Sequence, residues 1–187
     1  MYKELIRNYV PKNEQEEKDQ AMMIQFLSKN DDGLLRSNLL SHFTSSGVVV
    51  NFEMTKVLFI HHNIYNSWGW VGGHNDGDPD FLGVAIKEAQ EETGVSNVYP
   101  YKDDIIALDC IYVSNHFKNG EFVSDHIHMN VTYLLVADET EELVIKKDEN
   151  SGVKWFTLEE ALHVMEEPRM RPIYEKLFNI VRGIKNG

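Results

Sequence analysis

A chain of 187 residues favours one compact core with an appendage over two full domains. Hydrophobic residues at 42% and charged residues at 26% are an ordinary globular balance, which excludes a disordered or collagen-like chain. A formal net charge of −12 excludes polymeric nucleic acid as a partner, because phosphate backbones are held by basic surfaces; a small anionic substrate stays open, since bound cations invert the field of an acidic site.

Met1 to Asp19 alternates charged and apolar side chains, which predicts neither a signal peptide nor a membrane span, and no later stretch is apolar enough to span. Helical patterning covers about Glu4 to Phe43. Glu14 to Asp19 is a run of polar helix formers, Met22, Met23, Phe26 and Leu27 follow at helical spacing, and Asn30-Asp31-Asp32-Gly33 is a break. A second short helix is expected through Leu34, Leu35, Leu39 and Leu40. Residues 1–43 are therefore read as a helical extension, used for packing or for a homodimer surface, ahead of a main domain over 44–187.

Strand texture begins after Ser45-Ser46-Gly47, with Val48 to Phe52 and Lys56 to Ile60 rich in β-branched and aromatic residues. Trp68 to Val71 predicts a short strand ending in Gly72-Gly73. Ile105 to Val113 and His126 to Ala137 predict two longer ones, joined by a loop with Lys118-Asn119-Gly120 as its turn. Gly152 to Phe156 predicts the last strand, running into Thr157 and Glu160 at capping-box spacing, and a final helix is expected from about Arg169 to Ile184. Strands interrupted by one helix and followed by helices predict an α+β fold, a mixed β-sheet covered by helices.

The interrupting helix carries the chemistry. Asp78 suits an N-cap, Pro79 the first helical position and Gly94 the position past the C-terminus, which predicts a helix over about Pro79 to Thr93. At about 100° per residue, Leu82, Ala85, Ile86 and Ala89 form a packing stripe, and Glu88, Glu91 and Glu92 gather together beside it. Three carboxylates at that spacing repel one another near a helix C-terminus, so they are either a plain solvated face or a site for a hard cation such as Mg²⁺, which takes oxygen ligands.

The stretch from Gly73 to Val95 resembles the Nudix hydrolase signature, in which a glycine, five residues, a glutamate and seven residues precede Arg-Glu-apolar-x-Glu-Glu-x-Gly-apolar. Glu88-Ala89-Gln90-Glu91-Glu92-Thr93-Gly94-Val95 matches the second half in register. Pro79 stands at the first glutamate and Lys87 at the arginine, two residues expected to brace the loop against the helix; the likeness extends over about Ser45 to Glu167. The resemblance implies an α/β/α sandwich in which Glu88, Glu91 and Glu92 coordinate Mg²⁺ or Mn²⁺, with the Gly72 carbonyl as a backbone ligand. It further implies water attack at phosphorus in a diphosphate, with Glu88 as first choice of general base and Glu149 as second.

His126, His128, Asn130 and Thr132 alternate with apolar neighbours, so one face of that strand is polar, either simply wet or lining a substrate cleft. A His-x-His zinc site needs at least one more protein ligand, and spacing supplies none. His61, His62 and His74 fall near the same cleft, and of the aromatics Tyr65, Trp68 and Trp70 before the Gly-Gly turn, Trp70 is assigned to substrate binding, with core packing as its competing use. Cys110 is the only cysteine, which excludes an intrachain disulfide and a CxxC site and fits a reducing cytoplasm.

The expected function is hydrolysis of a nucleoside diphosphate linked to another moiety. Two alternatives remain: a non-catalytic nucleotide sensor on the same fold, and an enzyme like isopentenyl diphosphate isomerase, which would also need a reactive cysteine, whereas Cys110 sits in an apolar strand.

Overall fold

A computed structural model describes residues 2–118 and 120–187. Two N-terminal helices, α1 (Tyr2–Asn8) and α2 (Glu14–Leu27), precede β1 (Ser41–Val50), β2 (Lys56–His62), β3 (Ser67–Gly69) and β4 (Val71–His74). Helix α3 (Phe81–Thr93) follows, then β5 (Val98–Pro100), β6 (Ala107–Val113), β7 (His116–Lys118), β8 (Glu121–Val123), β9 (His126–Ala137) and β10 (Asn150–Thr157). Helices α4 (Leu158–Val164) and α5 (Arg171–Asn186) close the chain. The principal sheet runs β10-β2-β1-β9-β5, with β3 on β2, β4 on β1 and β6 on β9, while β7 and β8 form a separate hairpin. Among the described residues, its one parallel pairing joins β1 to β9 over ten residues, from Ser41 opposite Ile127 to Val50 opposite Val136.

Each face of the sheet has its own core, because alternate residues of a strand point to opposite sides. Phe43, Val49, Val131 and Leu135 pack with Phe81, Ala85 and Ala89 of α3 and with Ile6, Met23 and Leu27 of α1 and α2. Val48, Val50, Phe59 and Leu134 pack with Leu177, Phe178 and Val181 of α5 and with Ala161 of α4. The result is the α/β/α sandwich, in which the N-terminal helices share the core of α3.

Several local expectations are corrected. Leu34 to Leu40 forms no helix but successive turns, with Leu35 N–H on Asp32 O and Asn38 N–H on Leu35 O; Leu39 and Leu40 stay 76% and 81% exposed. An element with no apolar face to bury gains too little to pay for helix nucleation. Strand β1 starts at Ser41, not Val48, because its polar first half is paired on both sides, by β4 and by β9. The strand expected at Trp68 to Val71 is two, broken at Trp70, whose N–H donates to the Tyr174 hydroxyl at 3.1 Å while the chain changes partner from β2 to β1. Helix α3 starts two residues late: Asp80, not Asp78, accepts the Gly83 N–H at 3.0 Å, and Asp78 accepts from Asp80 N–H. Its end is as read, with Gly94 left-handed at φ 77° and its N–H on Gln90 O. Of the expected turn at Lys118-Asn119-Gly120, Asn119 lies outside the described residues. The capping box of Thr157 and Glu160 opens α4.

One buried ionic knot ties the N-terminal helices to the rest. Lys176 of α5 lies 3.0 Å from Glu16 of α2 and 2.7 Å from Asp109 of β6, and both carboxylates are at most 1% exposed. Burial alone would raise Glu16, but the Lys12 N–H, the Tyr9 hydroxyl and Lys176 hold it below the usual carboxylate range. Removing the cation strands two buried charges, so Lys176→Met is expected to cost about 3–5 kcal/mol in chemical denaturation. Adding Glu16→Gln and Asp109→Asn should recover most of that loss.

His62 gives a second expectation. Its Nε2 lies 3.0 Å from Trp70 O, and burial pushes its pKa down to about 4. Below about pH 6.5 the unfolded chain protonates this ring and the folded chain does not, so its contribution to stability is lost as pH falls from about 6.5 toward 4. The stability advantage of wild type over His62→Gln should shrink by roughly 1–2 kcal/mol between pH 7 and pH 5 in urea titrations.

Candidate active site

Strand β4 and helix α3 meet at two glycines. Gly72 and Gly73 pair with Ser46 and Ser45 of β1, and α3 lies directly over them. A Cβ on Gly73 would stand 2.5 Å from Glu88 Oε1, so only glycine leaves room for that carboxylate against the strand. The Gly72 N–H donates to Glu92 Oε2 at 3.0 Å. Glu88 and Glu92 are one helical turn apart and share a face.

Glu149 joins them from the turn before β10. That turn is held by Glu149 and Asn150 N–H groups on Lys146 O, and the Asn150 side chain donates to Glu92 O at 2.9 Å, tying it to the end of α3. One carboxylate oxygen from each of Glu88, Glu92 and Glu149 lies within 4.8 Å of the other two. Glu91 is turned aside, 3.7 Å from Lys87 and 3.4 Å from Lys146, and Lys146 in turn sits 3.0 Å from Glu149. The glutamates expected as a trio thus divide, and Glu149 takes the third place in the convergent group.

The acidic cluster is electrostatically tense. Burial first, then the charges of Glu149 and Glu91, raise Glu88 above the usual carboxylate range. Glu92 is pushed up to about 8, by burial and by Glu88 and Glu149, against the lowering effect of the Gly72 N–H. Three oxygen donors at this separation suit a hard divalent cation, whose charge relieves that tension.

The polar end of the sheet lies beyond His74. His126 and His128 of β9 stand beside His42 of β1 and His74 of β4, with the His42 ring about 5 Å from each of the other three: 4.9 Å from His74 and 5.0 Å from His126 and His128. They line a cavity of about 260 Å³ with Arg36, Tyr65, Lys118 and Phe122. Arg36 is fixed by a fork of hydrogen bonds to Asp76. Sequence reasoning overlooked His42 and Arg36 because both fell in the expected helical extension; the signal for His42 is the pairing of β1 with β9, and Arg36 lies in the turns before it.

Other expected contacts lie elsewhere. Trp70 is 8% exposed and packs edge-on against Tyr174 in the core, and Tyr65 is the aromatic of that segment that reaches the cavity. Asn130 is buried, accepting from the Thr44 and Ser46 hydroxyls and donating to Thr132, so its hydrogen bonds are spent inside the fold. His61 packs edge-on to Trp68, with Nδ1 2.8 Å from Ser151 Oγ. Cys110 is half-buried under α2, its thiol directed at Asp19 O and raised by burial, which leaves no thiolate for an isomerase-type mechanism.

The family model described as the NUDIX domain matches residues 41–177, and the chain belongs to the Nudix family. By class it is a Nudix-type pyrophosphohydrolase. Among solved structures, a C. elegans Ap4A hydrolase binary complex is 16% identical with a TM-score of 0.56, covering 75% of this chain and 98% of its own. The M. smegmatis Nudix hydrolase RenU is 14% identical with a TM-score of 0.56, covering 76% and 87%. The Nudix domain of Shewanella oneidensis NrtR, crystallised with ADP ribose, is 16% identical with a TM-score of 0.52, covering 84% and 97%. At such identities the likeness is one of fold. No curated protein matches the sequence.

The glycine contact is directly testable. Gly73→Ala pushes a flexible carboxylate rather than backbone, so unfolding free energy should change by under about 1 kcal/mol while pyrophosphohydrolase turnover falls roughly 10- to 100-fold, since small displacements of reacting groups are costly.

Proposed function

We propose that the chain hydrolyses a phosphoanhydride bond in a nucleoside diphosphate linked to another moiety, using Mg²⁺ or Mn²⁺ held by Glu88, Glu92 and Glu149. The convergence of these three carboxylates within 4.8 Å carries the proposal. The donor set fits a hard cation, being all oxygen, crowded and short of positive charge apart from Lys146. The Gly72 carbonyl is the proposed backbone ligand, and Glu91 serves at the edge of the site by holding Lys146.

When bound, the ion polarises the phosphoryl oxygens, lowers the pKa of water and offsets charge on the leaving phosphate. Glu88, set against Gly73 of β4 within the convergent group, takes the proton of the attacking water, and Glu149 is the alternative. Glu92, fixed by the Gly72 N–H, orients the site against β4. Lys118 faces the cavity and suits the phosphates of the substrate, while Tyr65 offers a ring face to a base. The Ap4A and ADP ribose named for two structural neighbours fall within this substrate class.

The test incubates the purified chain with Mg²⁺ or Mn²⁺ and a panel of nucleoside diphosphate derivatives and prenyl diphosphates, reading released products. Activity on a nucleoside diphosphate derivative is expected, abolished by chelator and reduced at least about 100-fold in Glu88→Gln and Glu92→Gln. Activity that survives in both variants would overturn the site assignment. Binding without turnover across the panel would mark a sensor instead.

A further inference from the structure

We infer that His42, His74 and His128 form a second metal site, distinct from the carboxylate cluster, for a late first-row divalent ion such as Zn²⁺, with an open coordination position facing the cavity. The sheet builds this site by register. His42 lies directly opposite His128 in the parallel β1–β9 ladder, and His74 lies opposite Thr44, two residues along β1 from His42. All three side chains therefore leave the same face of the sheet. One ring nitrogen from each lies within 4.8 Å of the other two, and the His74 and His128 ring centroids are 4.9 Å apart.

The hydrogen bonding of His42 favours a ligand over a phosphate donor. His42 is 4% exposed and its Nδ1 lies 3.0 Å from Asn38 O, so Nδ1 carries the proton and Nε2 presents a lone pair. That Nε2 is buried without a hydrogen-bond partner among the described residues. An acceptor cannot bind a phosphate oxygen, whereas a neutral imidazole anchored through its other nitrogen to a backbone carbonyl is the arrangement metal-ligating histidines adopt.

His126 repeats the pattern, with Nδ1 2.8 Å from Ser124 O and Nε2 3.0 Å from His128 Nε2, which places it as a neighbour that steers His128. Burial supports the neutral state of the ligands, pushing His74 down to about 3, His128 to about 2 and His42 in the same direction. Of the nearby cations, Arg36 is neutralised by Asp76, and Lys118 stands on the cavity wall. Nitrogen donors select zinc, cobalt, nickel or copper over Mg²⁺, and three protein ligands with one open place is the geometry of a zinc ion that takes an exogenous ligand.

The test uses the untagged full chain, stripped with chelator and titrated with Co²⁺ under visible absorption, then displaced with Zn²⁺ against a chromophoric chelator. One equivalent of Co²⁺ should give the intense bands of a tetrahedral or five-coordinate nitrogen site, and one equivalent of Zn²⁺ should abolish them. His42→Asn, His74→Asn and His128→Asn should each weaken Zn²⁺ binding at least about 100-fold, whereas Glu88→Gln with Glu92→Gln leaves it unchanged, which separates this site from the hydrolytic one. X-ray absorption of the zinc-loaded wild type, which does not depend on how the variants fold, should show three imidazoles at about 2.0–2.1 Å. Absence of the cobalt bands, their loss in the glutamate variants, or a zinc shell without imidazole would overturn the inference.

Discussion

The register of β1 between β9 and β4 is the constraint on which the rest of the structure depends. Ten residues of β1 pair in parallel with β9, and four of them also pair with β4 on the other side. A slip of one residue would turn every side chain of β1 to the opposite face. Phe43 would leave the core it shares with Phe81, and His42 would leave the group around His128. The same pairing fixes Gly72 and Gly73 against Ser46 and Ser45, so that α3 can descend onto bare backbone. Two chemically unlike neighbourhoods, one of carboxylates and one of imidazoles, are thus consequences of a single set of backbone hydrogen bonds.

The N-terminal helices are structurally part of this arrangement. Ile6, Met23 and Leu27 enter the core that also receives α3, and the Lys176 knot clamps α2 to β6 and α5 across the edge of the sheet. Such a clamp contributes through what its removal would strand, since a buried ion pair repays little more than its own desolvation. No helix among the described residues is long and apolar enough to cross a membrane.

Legibility in the sequence followed how local each cause was. Helix α3 was readable because its packing stripe and Gly94 are encoded within one short segment, and β9 because its alternation is uninterrupted. The first half of β1 was not: apart from Phe43, Ser41 to Gly47 is polar or glycine, and pairing with β9, joined by β4 from Thr44 on, makes it a strand. His42 was lost with it. Glu149 gained its place for a similar reason, because the turn that carries it lies far along the chain and is tied to the end of α3 through Asn150 and Glu92 O. Trp70 looked like a cleft aromatic beside its glycines, but the break between β3 and β4 turns it toward Tyr174.

Lys146 sets how much of the cluster's self-repulsion is met by the protein's own charge. It touches Glu91 and Glu149 at once, supplying one positive charge beside a cluster that otherwise repels itself. Small zinc modules have no such resident counterion. Here the ammonium offsets part of the repulsion among the glutamates from within the chain itself.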